Sequence, residues 1–186
     1  TLKKGPLNMF KKYTLAMIIA ATALSTSWAH AAPQKRYPSW DELNDLVTEM
    51  CTEIDSKDYD ILLGVAVGGL VPAALFSNQL KMKNVTTISA SSYTNYEQKE
   101  LRIRNVPEKA VFANKRILLV DDIIDSGITA NTLKAMLINE YGAESVTIAS
   151  LYVNEDHCEK LPEHWGTKTK EWIVFPWETD YVRNES

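Results

Sequence analysis

One stretch constrains the fold of this 186-residue chain more than any other: Arg116-Ile117-Leu118-Leu119-Val120-Asp121-Asp122-Ile123-Ile124-Asp125-Ser126-Gly127-Ile128-Thr129. Four consecutive aliphatic residues, Ile117 to Val120, predict a strand buried on both faces, because a parallel sheet covered by helices leaves no polar side to alternate toward. The run ends in two adjacent carboxylates, a third follows at Asp125, and Ser-Gly-Ile-Thr then opens a helical pattern from Thr129 to Tyr141. Strand, polar turn and helix form an anion-binding layout, since N–H groups at a helix start point outward with the positive end of the dipole behind them. Ser126 and Thr129 add hydroxyl donors, and Gly127 permits close approach of backbone and ligand. Three acids beside an anion site call for a ligand that also carries hydroxyls or a metal. Carboxylates accept hydrogen bonds from a sugar diol, and with a hard cation they hold a polyphosphate. A phosphorylated sugar bearing pyrophosphate and Mg²⁺ meets all of these demands.

Apolar strands ending in acids also occur in receiver domains and at the metal-binding Asp of nucleotide hydrolases. Neither accounts for a third Asp followed by Ser-Gly-x-Thr, and the chain contains no GxxxxGK[ST] loop. Leu-Leu-Val-Asp-Asp-Ile-Ile-Asp-Ser-Gly-Ile-Thr resembles the phosphoribosyl-pyrophosphate (PRPP) motif of type I phosphoribosyltransferases. The resemblance implies an α/β fold: a parallel twisted sheet flanked by helices, with a small C-terminal base-binding hood. It also implies that Asp121 and Asp122 hold the ribose hydroxyls and position Mg²⁺. Asp125 would be the general base or an electrostatic stabiliser, and Asp125, Ser126, Gly127, Ile128 and Thr129 would cradle the 5′-phosphate.

Asp60 to Val67 reads as another buried strand, and it turns through Gly68-Gly69 into a helix beginning Leu70-Val71-Pro72. That is again an anion-binding shape, and it resembles the family's pyrophosphate loop at Val67, Gly68 and Gly69. Val67 departs from the pattern, because relatives often carry Arg or Lys there. Val85 to Ala90 reads as a third strand. The polar segment after it is either a solvated hairpin or, by resemblance, a flexible lid over 94–109 that keeps water from a carbocation-like intermediate. Ser92 and Tyr93 resemble the Ser-Tyr pair of that catalytic loop, and Lys99 is the candidate cation for pyrophosphate.

Ser145 to Tyr152 is a fourth strand, and strands alternate with helices throughout, so ligands belong at the carboxyl ends of the strands. The aromatic stretch from Glu171 to Glu178 either closes the core or, by resemblance, forms a hood over 153–180. In the second case Trp172 stacks on a purine and Ile173 reads its edge through the backbone. Asn154 stands where relatives place a base-binding Lys. The implied activity is transfer of a phosphoribosyl group from PRPP to N9 of hypoxanthine or guanine, giving IMP or GMP. The alternatives are a xanthine-preferring enzyme or, with Val67 and Asn154 as its marks, a non-catalytic PRPP sensor.

The rest of the chain sets bounds. A net charge of −4 argues against a nucleic-acid surface. Cys51 and Cys158 have neither metal nor disulfide spacing, and Asp156-His157-Cys158 reads as a surface loop. Ser39-Trp40-Asp41-Glu42 is a capping box opening a helix to about Asp55, with Trp40, Leu43, Leu46, Val47, Met50 and Ile54 facing the core. Residues 1–32 precede the expected phosphoribosyltransferase domain at 37–186. There a basic Phe10-Lys11-Lys12, an apolar run from Leu15 to Leu24 and Ala29-His30-Ala31 read as a secretory signal, or else as a buried or amphipathic helix. The apolar run is too short for a membrane span. The two signals conflict: PRPP is a cytoplasmic metabolite, so substrate logic places the protein in the cytoplasm, while the signal-like N-terminus points to a periplasmic or exported protein. Family resemblance implies a homodimer or homotetramer.

Overall fold

The computed structural model describes residues 34–95 and 98–178, with the backbone alone described at 91–95 and 98–100. The chain divides into units Thr1–Ala32 and Pro33–Ser186, and the second carries all of the described secondary structure. The signal-like segment falls outside the described residues.

The elements in order are β1 (Lys35–Arg36), α1 (Trp40–Met50), β2 (Ile61–Ala66), α2 (Leu70–Leu80), β3 (Val85–Asn95), β4 (Gln98–Arg104), α3 (Lys109–Phe112), β5 (Arg116–Ile124), α4 (Ile128–Asn139), β6 (Ser145–Asn154), β7 (His164–Thr169) and β8 (Trp172–Ile173). A six-stranded sheet runs β4-β3-β2-β5-β6-β7, and β1 pairs with β8 in a separate ribbon. Every pair in the main sheet is parallel except the β3–β4 hairpin.

The aliphatic run of β5 is buried because the sheet is covered on both faces. Leu118 and Val120 pack with Leu62, Leu43, Val47 and Phe76 on the face covered by α1 and α2. Ile117 and Leu119 pack with Ile61, Leu63, Leu133 and Leu137 on the face covered by α4. Each buried aliphatic side chain contributes about 1.5–3 kcal/mol by leaving water, so this central strand anchors both layers.

Local signals explain the ends of the helices. The Ser39 hydroxyl accepts from the Glu42 N–H at 3.1 Å, half of a capping box, while the Glu42 carboxylate pairs with Arg36 rather than reaching back. α1 stops at Met50, short of Asp55, and Ile54 packs into the core from beyond its end. Trp40 is 51 % exposed and leans on Trp177 at 5.7 Å, so it does not join the core as its helical spacing suggested. α4 ends before Gly142, whose φ of 72° supplies the left-handed residue its C-terminus needs.

Two strands run longer than the sequence suggests. β5 continues past the acids to Ile124 because β6 keeps pairing with it, Asp121 opposite Ser150 and Ile124 opposite Val153. β3 continues to Asn95 because β4 folds back along it. The C-terminal segment supplies β7 to the main sheet as an edge strand and then turns Ile173, Val174 and Phe175 into the core.

Candidate active site

β2 and β5 are hydrogen-bonded neighbours as far as Gly64 opposite Val120, and then they part. The chain leaves β2 for β3 on one side and β5 for β6 on the other, so this is where the strand order reverses. A crevice at the carboxyl ends of the strands is the expected ligand position at such a point. A cavity of about 530 Å³ lies here, lined by Val67 and Gly68 after β2, by Asp121 to Ile124 at the end of β5 and Asp125 to Thr129 after it, and by Ala90, Leu101 and Glu178.

The loop after β2 is packed too tightly for side chains at its two glycines. A Cβ on Gly68 would lie 2.5 Å from Cγ of Asp122 and 2.6 Å from its Oδ1, and one on Gly69 would meet the carbonyl oxygens of Val120 and Val65. The loop after β2 therefore touches the end of β5 through Gly68 and Asp122. The Ala66–Val67 peptide bond is cis, and the Gly69 N–H donates to the Val65 carbonyl at 2.8 Å as α2 begins. Val67 is 78 % exposed at the cavity wall.

Asp121 and Asp122 project from the last turns of β5. Burial, joined by the repulsion of Asp122, pushes the Asp121 carboxyl well above the usual carboxylate range. Asp122 is also raised, by burial first, although the Ile123 N–H donates to its Oδ1 at 2.7 Å and pulls the other way. Two carboxylates that resist joint ionisation invite a cation. Among the described residues no group of three or more acidic, His or Cys side chains forms a metal cage. That donor set fits Mg²⁺, which is commonly held by one or two carboxylates together with phosphates of a substrate.

Gly127 adopts φ 80°, a left-handed conformation that suits glycine, and so turns the chain into α4. Ile128, 64 % exposed, and Thr129 open that helix beside the cavity. The N–H of Ile128 lies 3.4 Å from Ser126 Oγ, and Asn131 Nδ2 donates to the Gly127 carbonyl at 2.9 Å, which pins the turn.

The remaining expected residues divide. Ser92, Tyr93 and Lys99 lie on the β3–β4 hairpin, Ser92 opposite Leu101 and Lys99 opposite Thr94, but their side chains fall outside the described part. Of the expected lid over 94–109, residues 96–97 also fall outside it. Trp172, 59 % exposed, and the buried Ile173 sit on the β1–β8 ribbon, and neither lines the cavity. Asn154 does not line it either: its amide nitrogen donates to Asp125 Oδ1 at 2.8 Å. His157, which the sequence places in an ordinary surface loop, brings its Nδ1 to 2.7 Å from that same oxygen. Its signal was there in Asn154-x-x-His157, because Asn after a strand folds the next residues back through its side chain.

Known proteins match this architecture. The phosphoribosyl transferase domain family matches residues 39–184. The xanthine-guanine phosphoribosyltransferase of Chromohalobacter salexigens is 30% identical over 142 residues, spanning 75% of this chain and 82% of that protein. That of Idiomarina loihiensis is 29% identical over 76% of this chain and 86% of its own. Among solved structures, the purine phosphoribosyltransferase of Pyrococcus horikoshii superposes with a TM-score of 0.68 at 28% identity, covering 78% of this chain and 94% of that one. The xanthine-guanine-hypoxanthine enzyme of Helicobacter pylori shares the fold, with a TM-score of 0.71 at 23% identity over 82% and 99% of the two chains. The motif on β5, the two loops meeting at one cavity and a family match over most of the chain lead to one conclusion: this protein belongs to the phosphoribosyltransferase family, a family of glycosyl-transferring enzymes, and has its type I fold.

Proposed function

We propose that the protein transfers the 5-phosphoribosyl group of PRPP to N9 of a 6-oxopurine, hypoxanthine or guanine, releasing pyrophosphate and forming IMP or GMP. The observation that carries this reading is a cavity lined at once by Val67 and Gly68, by Asp121 and Asp122, and by Asp125 to Thr129. Those three groups suit the pyrophosphate, the ribose hydroxyls and the 5′-phosphate of one ligand. The purine assignment draws on the names of the relatives.

In the proposed reaction the bond from N9 to C1 of the ribose forms as the bond from C1 to pyrophosphate oxygen breaks, and that oxygen keeps the electron pair. Asp125 accepts the proton that leaves N7 as N9 attacks. Ser126, Gly127, Ile128 and Thr129 hold the 5′-phosphate with N–H and hydroxyl donors. Val67, Gly68 and Gly69 offer backbone to the pyrophosphate. Asp121 and Asp122 would hold both the ribose hydroxyls and Mg²⁺, which when bound neutralises charge on the leaving pyrophosphate. Ser92, Tyr93 and Lys99 are assigned to the hairpin as a lid, Lys99 toward pyrophosphate, and Trp172 and Ile173 to the purine. A homodimer or homotetramer and a cytoplasmic setting belong to the same reading. Among the described residues no helix is long and apolar enough to cross a membrane.

The test is to incubate the protein with PRPP, Mg²⁺ and hypoxanthine, guanine, xanthine or adenine separately, and to follow nucleotide formation. Turnover of the 6-oxopurines, with Asp125→Asn lowering it roughly a hundred- to ten-thousand-fold, is expected. A clear preference for xanthine would replace the base assignment. Tight PRPP binding with no base consumed would sink the enzyme reading and leave a sensor.

A further inference from the structure

The turn that leaves β6 is built around one side chain. Asn154 Oδ1 accepts the N–H groups of Asp156 at 2.9 Å and His157 at 3.2 Å, and the Asn154 carbonyl accepts from Cys158 at 3.1 Å. Lys170 pairs with Asp156 at 2.8 Å, and the Glu155 N–H donates to the Thr169 carbonyl at 2.9 Å, so β7 braces the turn from outside. With Oδ1 occupied by backbone donors, the Asn154 amide nitrogen has one orientation left, and it faces Asp125. The same turn brings His157 Nδ1 to 2.7 Å from Asp125 Oδ1. A carboxylate can only accept, so Nδ1 carries the proton in this contact. The 3.2 Å between Asn154 Nδ2 and His157 Nδ1 then records two donors crowded on one acceptor rather than a bond between them.

We propose that Asn154 and His157 are positioning residues for Asp125, clamping Oδ1 so that Oδ2 is presented to the reacting nitrogen of the base. The inference rests on the proposed function and assigns to Asn154 the support of the general base in place of direct contact with the purine. Among the described residues no side chain donates to Asp125 Oδ2. One carboxylate oxygen is held and the other is available. A base with two equivalent oxygens and a free rotamer must be oriented within each turnover, whereas a clamped one is oriented in advance, and orientation of this sort acts on kcat. Its contribution rises when a bound base excludes water from both hydrogen bonds.

The experiment compares His157→Ala, His157→Asn and His157→Gln in the full-length protein with PRPP, Mg²⁺ and guanine. His157→Ala should lower kcat about tenfold while KM for PRPP stays within about twofold, the signature of an interaction that matters in the transition state. His157→Asn returns an amide nitrogen to the position of Nδ1 and should restore kcat to within about threefold; His157→Gln places its nitrogen farther out and should not. Asn154→Asp keeps the acceptor for the turn but sets a second negative charge against Asp125, and should fall below His157→Ala. Unchanged kcat in His157→Ala overturns the proposal. So does a fall in kcat matched by a lower melting temperature and a parallel rise in KM, with no rescue by Asn. A readout independent of turnover is the ¹⁵N resonance of the His157 imidazole, assigned with His157→Asn, which should move on Asp125→Asn. If no 6-oxopurine reacts, the functional reading fails while this resonance still decides the clamp, and a resonance that stays put rejects it.

Discussion

Gly68→Ala is the substitution that the site geometry makes most informative. Its added Cβ would stand 2.5 Å from Asp122 Cγ and closer still to Oδ2, against the 3.4 Å at which ordinary contact begins, so the carboxylate or the loop must give by at least about 0.9 Å. Gly68 has ordinary negative φ, so alanine brings no backbone penalty and the effect is the collision alone. Asp122 cannot swing away without losing the Ile123 N–H at 2.7 Å. Overpacking of this kind costs about 1–3 kcal/mol, and displacement of a ligand-positioning group by nearly 1 Å costs roughly a hundredfold in rate. Urea denaturation should therefore place the variant lower in stability by that amount, and steady-state assays should show kcat/KM for PRPP down about a hundredfold. The decisive control is the double-mutant cycle. In an Asp122→Ala background the collision partner is gone, so Gly68→Ala should there cost under about 0.5 kcal/mol. Equal losses in both backgrounds would refute the idea that the loop after β2 meets the end of β5 through this contact.

Two further outcomes concern pH. Asp121 has a folded-state pKa raised by burial and by Asp122, so its ionisation opposes folding at neutral pH, and Asp121→Asn should be more stable than the parent at pH 7 while losing turnover. That stability gain should shrink as pH falls from the raised value toward the ordinary carboxylate range, and equal stability at pH 7 in urea titrations would contradict it. Asp60 behaves oppositely: Arg116, through its side chain and its backbone N–H at 2.9 Å, holds the carboxyl down at about 2. Its contribution is present above the ordinary carboxylate value and lost as pH falls through about 2, so the deficit of Asp60→Asn should be greatest near neutrality, fade in acid and lessen in high salt. A deficit that does not change with pH would show that packing, not charge, is at stake.

The centre of the site was legible because its cause is local. An aliphatic strand, two acids, a third acid and Ser-Gly-x-Thr lie within one continuous stretch, and burial on both faces leaves a plain mark on composition. The Gly68-Gly69 turn was legible for the same reason. What could not be read depends on partners distant in sequence. β7, His164-Trp165-Gly166-Thr167-Lys168-Thr169, is an edge strand whose mixed residues show no alternation, and only β6 makes it a strand. Trp40 carries helical spacing but meets Trp177 at the surface, a pairing across most of the chain. His157 reads as an ordinary loop residue until the sheet brings it to Asp125, 32 residues upstream.

The parallel pair β2–β5 acts as a ruler. The two strands are last tied at Gly64–Val120, before their loops diverge, and the spacing of about 4.8 Å there is set by backbone hydrogen bonds rather than by side chains. Substitutions farther out along either loop can therefore change how firmly each end of a ligand is gripped, while the point from which the two loops diverge stays where it is. The common origin of the two grips is written into the main chain, and chemical preference is left to vary along the rim.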